Sequence, residues 1–260
     1  MSVRGTASRT WPAVRTYVRR APWTFAWLAI LLVTTVVQHL LTPAALDSLL
    51  GDRSTNLNNL ADEPLQVLFT SLLWIDGAYW LPYLLSFCVF HATAERWLGA
   101  WRWVLVGFTA HVLATYISEG VLGLEIHWGE ADASLVDVRD VGVSYFLAGV
   151  IGVLTYHVAR PWRWGYLGAV LLVYGAPLVL DPDFTELGHF SSILIGLAFY
   201  PMVRGRGEPL DPVRVYRDLR GARRRDGVGE IQPISAADRL PPPPSGPTRS
   251  ATPRTPPAAP

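Results

Sequence analysis

Six apolar stretches, separated by loops whose charge alternates in sign, leave this chain one kind of environment in which to fold. They run near Thr24–Leu41, Tyr79–Leu98, Trp101–Ile117, Val141–Val158, Gly165–Leu180 and Leu187–Val203. A helix that crosses a bilayer needs about 20 mostly apolar residues, and each stretch comes close. Composition agrees: of 260 residues only 17% are charged and 50% are hydrophobic, whereas soluble domains carry about 25% charged residues. That balance argues against a water-soluble enzyme. The first stretch does not read as a cleavable leader, because its apolar run is long and no small-residue cleavage site precedes His39.

The loops sort by charge. Arg4, Arg9, Arg15, Arg19 and Arg20 precede the first stretch with no acid among them. The first loop holds Asp47, Asp52, Asp62, Glu63 and Asp76 against Arg53 alone, and the short second turn carries Arg96 and Arg102 with Glu95. The third loop is acidic again, from Glu119 to Asp140. The fourth offers Arg160 and Arg163, the fifth Asp181, Asp183 and Glu186, and Arg204 and Arg206 open the tail. The positive-inside rule then places both termini in the cytoplasm. Trp23, Trp97, Trp101, Trp103, Trp162 and Trp164 stand at the ends of the stretches, where indoles favour the headgroup layer.

The expected fold is therefore all-α, a polytopic cell-membrane protein of six transmembrane helices. Its expected parts are a basic N-terminus at 1–20, a membrane domain at 21–203 and an Arg/Pro-rich cytoplasmic tail at 204–260. Asp211-Pro212 can cap a basic helix through Arg225 that lies on anionic headgroups, and the Pro-rich remainder reads as disordered. Leu65–Trp74 is too short to span and reads as a surface-lying or re-entrant segment. All 22 basic residues are Arg, which with the abundant Pro, Ala and Gly points to a GC-rich, bacterial genome. The single cysteine, Cys88, excludes an intrachain disulfide and a multi-Cys metal site. No phosphate loop or zinc spacing is present, so neither a cofactor nor a metal is expected, and no nucleic-acid partner.

Polar side chains within apolar stretches are costly and mark candidate sites. His39, His91, His111 and His157 read as structural. Ser144 and His189 differ because their positions correlate. Ser144 follows Asp140 by four residues and His189 follows Glu186 by three, so on two helices entering from the same face both lie roughly 5 Å inside. Ser144, Ala148 and Gly152 repeat every four residues, as do Gly188, Ser192 and Gly196, and such small-residue faces let helices approach closely in lipid. A serine hydroxyl within hydrogen-bond reach of an imidazole can attack a carbonyl. His189 is then the candidate general base, Ser144 the nucleophile, and the first turn after Gly142 a place for a developing oxyanion.

At these residues the sequence resembles the rhomboid family of intramembrane serine proteases, over roughly residues 65–200. Gly142-Val143-Ser144-Tyr145 with Gly152 is similar to the family's GxSG…G fourth span, Gly188-His189 with Gly196 to its GHxxGxxxG sixth span, and Glu95-Arg96-Trp97-Leu98-Gly99 to the ER-x-x-G end of its second. The resemblance implies a six-helix bundle with a Ser144–His189 dyad open to the outer face, cutting single-span membrane proteins. Two features depart from the pattern. Tyr145 replaces the glycine after the serine, and Pro82 and Ser86 stand where the family places a His and an Asn aimed at the oxyanion. Ser86 and Tyr145 are the oxyanion or cavity candidates left. Loss of one oxyanion donor typically costs about 10²–10³ in turnover. Two readings stay open: a membrane protease, and a catalytically inactive member that binds the helices of client membrane proteins and affects their folding or turnover. A small-solute transporter is the weaker third, because the halves show no inverted similarity.

Overall fold

The structure, a computed structural model, describes residues 3–227, and among them all regular structure is helical. The chain opens with α1 (Val3–Arg19) and α2 (Pro22–Leu40). Pro22 supplies a preset first turn to α2. The next two N–H groups of α2, those of Trp23 and Thr24, donate to the carboxylate of Glu95 at 3.1 and 2.7 Å. A negative group at a helix N-terminus meets both its unpaired donors and its dipole. The Arg96 guanidinium beside it lies 4.5 Å over the ring of Tyr17 in α1.

Three short helices follow: α3 (Pro43–Arg53), α4 (Leu57–Asp62) and α5 (Pro64–Thr70). The expected Leu65–Trp74 segment is α5 and the turn after it. His111 lies 3.0 Å from the Leu68 carbonyl, and the Trp27 indole donates to that of Leu72. The segment Pro64–Ala78 meets Trp80–Leu98 at a bend of 118°. The second stretch is built from α6 (Trp80–Ser86), a π-turn at Phe87–His91, and α7 (Ala92–Leu98). Pro82 stands in the first turn of α6, where its missing N–H would have had no intrahelical partner, and the departure from α geometry comes at the π-turn. Gly99 then turns the chain with φ +81°, a backbone conformation open to glycine, into α8.

Helix α8 (Ala100–Trp128) has 29 residues and ends at Gly129 in the left-handed conformation. It outruns the expected Ile117 by three turns, so Glu119 belongs to the helix rather than to the acidic loop. The remaining elements are α9 (Val143–Leu154), α10 (Trp162–Leu180), α11 (Phe184–Ala198), α12 (Tyr200–Val203) and α13 (Pro212–Gly227). Asp211 Oδ1 accepts from the Val213 N–H at the start of α13, matching the expected cap. The expected disorder of the last residues lies outside the described ones.

The core is the meeting of α8, α9 and α11. Gly107 accommodates the Phe146 ring, Gly149 the Ala110 methyl, and Gly196 the backbone of Gly149. A methyl on Gly152 would lie 2.5 Å from the Ile193 carbonyl oxygen. Trp103, Val106, Phe146, Val150 and Val153 fill the space beside this seam. Helix α10 stands outside, with Leu172, Val173, Val179 and Leu180 exposed, as expected of side chains that face lipid.

Six helical segments thus occur at the six expected places. Three of them, Pro22–Leu40, Ala100–Trp128 and Trp162–Leu180, are long and apolar enough to cross a membrane, and the bent pair counts as a fourth if it is one broken span. The apolar helices Val143–His157 and Phe184–Ala198 are shorter. The chain is a multi-pass helical membrane protein.

Candidate active site

The site forms where α9 begins. Ser54 and Thr55, after α3, hold the loop ahead of it. The Asp140 N–H donates to Ser54 Oγ at 2.6 Å, and the Thr55 N–H and hydroxyl donate to the Asp140 carbonyl at 3.0 and 3.2 Å. These bonds fix the register at which Gly142 starts the helix and places Ser144 in its first turn. Asp140 is 5% exposed, and burial pushes its carboxyl up to about 7, against the bond from the Thr55 hydroxyl that favours the ionised form.

Ser144 is half-buried, and among the described residues its hydroxyl makes no hydrogen bond. His189, on α11, is also half-buried. Its Nδ1 lies 3.9 Å from Glu186 Oε2, and its ring packs edge-on to Tyr145 with centroids 5.1 Å apart. The structure brings together the two helices that carry Ser144 and His189 without joining the two side chains by a hydrogen bond. The small-residue faces do meet: Ala148, Gly152, Gly188, Ser192 and Gly196 are all buried, and a methyl on Gly152 would lie 3.3 Å from the Gly196 Cα.

Tyr145 occupies the space between α9 and α11. It is fully buried, and its phenol lies so close across Gly188 that a methyl there would come within 2.5 Å of the hydroxyl oxygen. That hydroxyl sits among Ser118, Glu119 and Asp140. Among the described residues it closes no hydrogen bond of ordinary geometry, and neither does the buried hydroxyl of Ser192. Gly142 does not open toward a cavity, because the His111 imidazole packs on it where a Cβ would stand. Ser86 donates to the Pro82 carbonyl of its own helix at 2.9 Å.

The histidines read as structural acquire neighbours. His91 accepts from the Trp103 indole at 3.1 Å, and His111 lies between the Leu68 carbonyl and the Thr115 hydroxyl, at 3.0 and 3.4 Å. The buried group formed by Ser118, Glu119, Asp140 and Tyr145 was missed by sequence reasoning. A signal was present: His111, Thr115, Ser118, Glu119 and Leu122 recur at helical spacing and share the buried side of α8. Among the described residues no cluster of three or more His, Cys, Asp or Glu could hold a metal ion.

No curated protein and no solved structure is significantly similar to the chain. The family described as rhomboid-like protein matches residues 16–209, which take in α2 through α12 and every residue of the candidate site. On that match, the chain belongs to the rhomboid-like protein family.

Proposed function

We propose that this protein is a catalytically inactive rhomboid-like membrane protein that binds the transmembrane helices of client proteins and affects their folding or turnover. In this reading all six helical segments cross the membrane, α9 and α11 among them, with both termini cytoplasmic. The observation that carries it is the seating of Tyr145 on Gly188, which fills the gap between α9 and α11 and packs its ring against His189. Hydrolysis at Ser144 requires water, an imidazole within roughly 3 Å and donors for the oxyanion. Here His111 covers Gly142, Ser86 is bonded to its own helix, and His189 packs on Tyr145.

The protease reading keeps one observation in its favour. Ser144 and His189 are both half-buried, on helices in direct contact, and the Ser144 hydroxyl is uncommitted. A rotation of Tyr145 would leave a serine and a histidine on facing helices as nucleophile and general base. Fluorophosphonate labelling of the detergent-solubilised protein separates the readings. The inactive reading expects no labelling of folded wild-type protein from pH 6 to 9. Labelling that disappears in both Ser144→Ala and His189→Ala would overturn it in favour of a serine endopeptidase.

A further inference from the structure

The Arg-bearing end of the bundle contains a cavity that the candidate site does not use. It has a volume of about 610 Å³ and lies between Cys88, Val89 and Phe90 on one side and Leu154, Trp162 and Tyr166 on the other. The cavity exists because α10 leans mainly on α11 and little on the second stretch. Its walls are almost wholly apolar, and its size falls within the roughly 300–1,000 Å³ range of ligand pockets.

Tyr17 closes one side of this cavity and also lines a second hollow of about 430 Å³ with Thr16, Arg20 and Arg96. The Tyr17 hydroxyl donates to the Cys88 carbonyl at the π-turn, and its ring carries the Arg96 guanidinium. Arg20 and Arg96 are exposed, and among the described residues neither has a carboxylate within ion-pairing distance. The Glu95 carboxylate next to Arg96 is committed to the N–H groups of α2. An apolar slot and an uncompensated pair of guanidinium groups therefore share one aromatic wall.

We infer that this place binds an anionic diacyl phospholipid, with its phosphate at Arg20 and Arg96 and an acyl chain in the cavity between the π-turn and α10. Charge complementarity selects the occupant. Guanidinium groups pair with phosphate through charge-assisted hydrogen bonds, and basic pockets between transmembrane helices hold anionic headgroups. A zwitterionic lipid fills the apolar slot equally well but places its own ammonium beside the arginines. The trait holds for a protease and for a client-binding protein alike, so its test is independent of the function proposed above.

The test uses the full-length protein in a neutral detergent, with dioleoyl phosphatidylglycerol and dioleoyl phosphatidylcholine supplied separately. Native mass spectrometry reads the bound lipid. The expected result is retention of phosphatidylglycerol at least tenfold above phosphatidylcholine, falling to the phosphatidylcholine level in the R20Q/R96Q double variant. Val89→Trp, at a position 57% exposed and therefore tolerant of the larger side chain, should lower retention with both arginines intact. Equal retention of the two lipids by wild-type protein overturns the inference. So does unchanged selectivity in R20Q/R96Q or unchanged retention in Val89→Trp, with lipid-free melting in the same detergent showing that both are folded.

Discussion

The phenol of Tyr145 lies flush against the backbone of Gly188, two residues that neighbour the candidate nucleophile and the candidate base in sequence. Small residues on α11 make room for large ones on α9, and the room at this point is taken by an aromatic ring. The ring also separates His189 from the buried oxygen atoms of Glu119 and Asp140 at its other end, because it packs on His189 at 5.1 Å between centroids while its hydroxyl lies toward those acids. A glycine in place of Tyr145 would leave the same backbone with an open gap.

Gly188→Ala should therefore destabilise the fold by about 1–3 kcal/mol, the usual cost of overpacking. The cost should fall in a Tyr145→Ala background, where the added methyl has space. Unfolding in mixed micelles, followed for both single variants and the double variant, measures the coupling. Additive effects would show that the two residues are not in contact.

The carboxylate of Glu95 is 4% exposed and accepts two N–H groups from α2. Glu95→Ala leaves these donors and the N-terminus of α2 without a partner, and hydrogen bonds to a charged group contribute about 1.5–3 kcal/mol each. Glu95→Gln keeps one acceptor oxygen and should lose less than Glu95→Ala. Stability curves for the two variants check the order, and hydrogen exchange at Trp23 and Thr24 should rise in both.

Gly196 faces the backbone of Gly149, which cannot swing away as a side chain can. Gly196→Val should force α9 and α11 apart and destabilise by at least as much as Gly188→Ala, with no rescue by Tyr145→Ala. Cysteine pairs placed across the seam report the separation directly through loss of cross-linking.

The sequence made the helices legible because apolar length, terminal tryptophans and loop charge are each readable residue by residue. The small-residue faces were legible for the same reason: their four-residue spacing matches a helix turn. Three features were not. Helix α8 continues to Trp128 with Glu119 on its buried side, and an acid after an apolar run reads first as a loop. Tyr145 reads as a replaced glycine, and only the approach of α11 shows that its ring is the packing element. The covering of Gly142 by His111 depends on how α8 lies against α9, which no local pattern encodes, although Thr115 four residues after His111 offered it a partner.

Asp140 supplies the last prediction, for which the sign matters. Its carboxyl has an ordinary value near 3.8, and burial raises it to about 7 in the folded protein. Below about pH 4 the group is protonated in folded and unfolded chains alike, and its burial carries no ionisation penalty. Between about pH 4 and 7 the unfolded chain releases the proton while the folded chain retains it, so stability falls as pH rises. Above about pH 7 both states are ionised and the contribution is constant. Unfolding midpoints measured from pH 4 to 8 should therefore decline through this window. In Asp140→Asn, which keeps the backbone bonds to Ser54 and Thr55 and cannot ionise, the decline should be shallower. An identical slope in the variant would assign the titration to other groups, and a rise in stability across the window would show that Asp140 is ionised and stabilised where it stands.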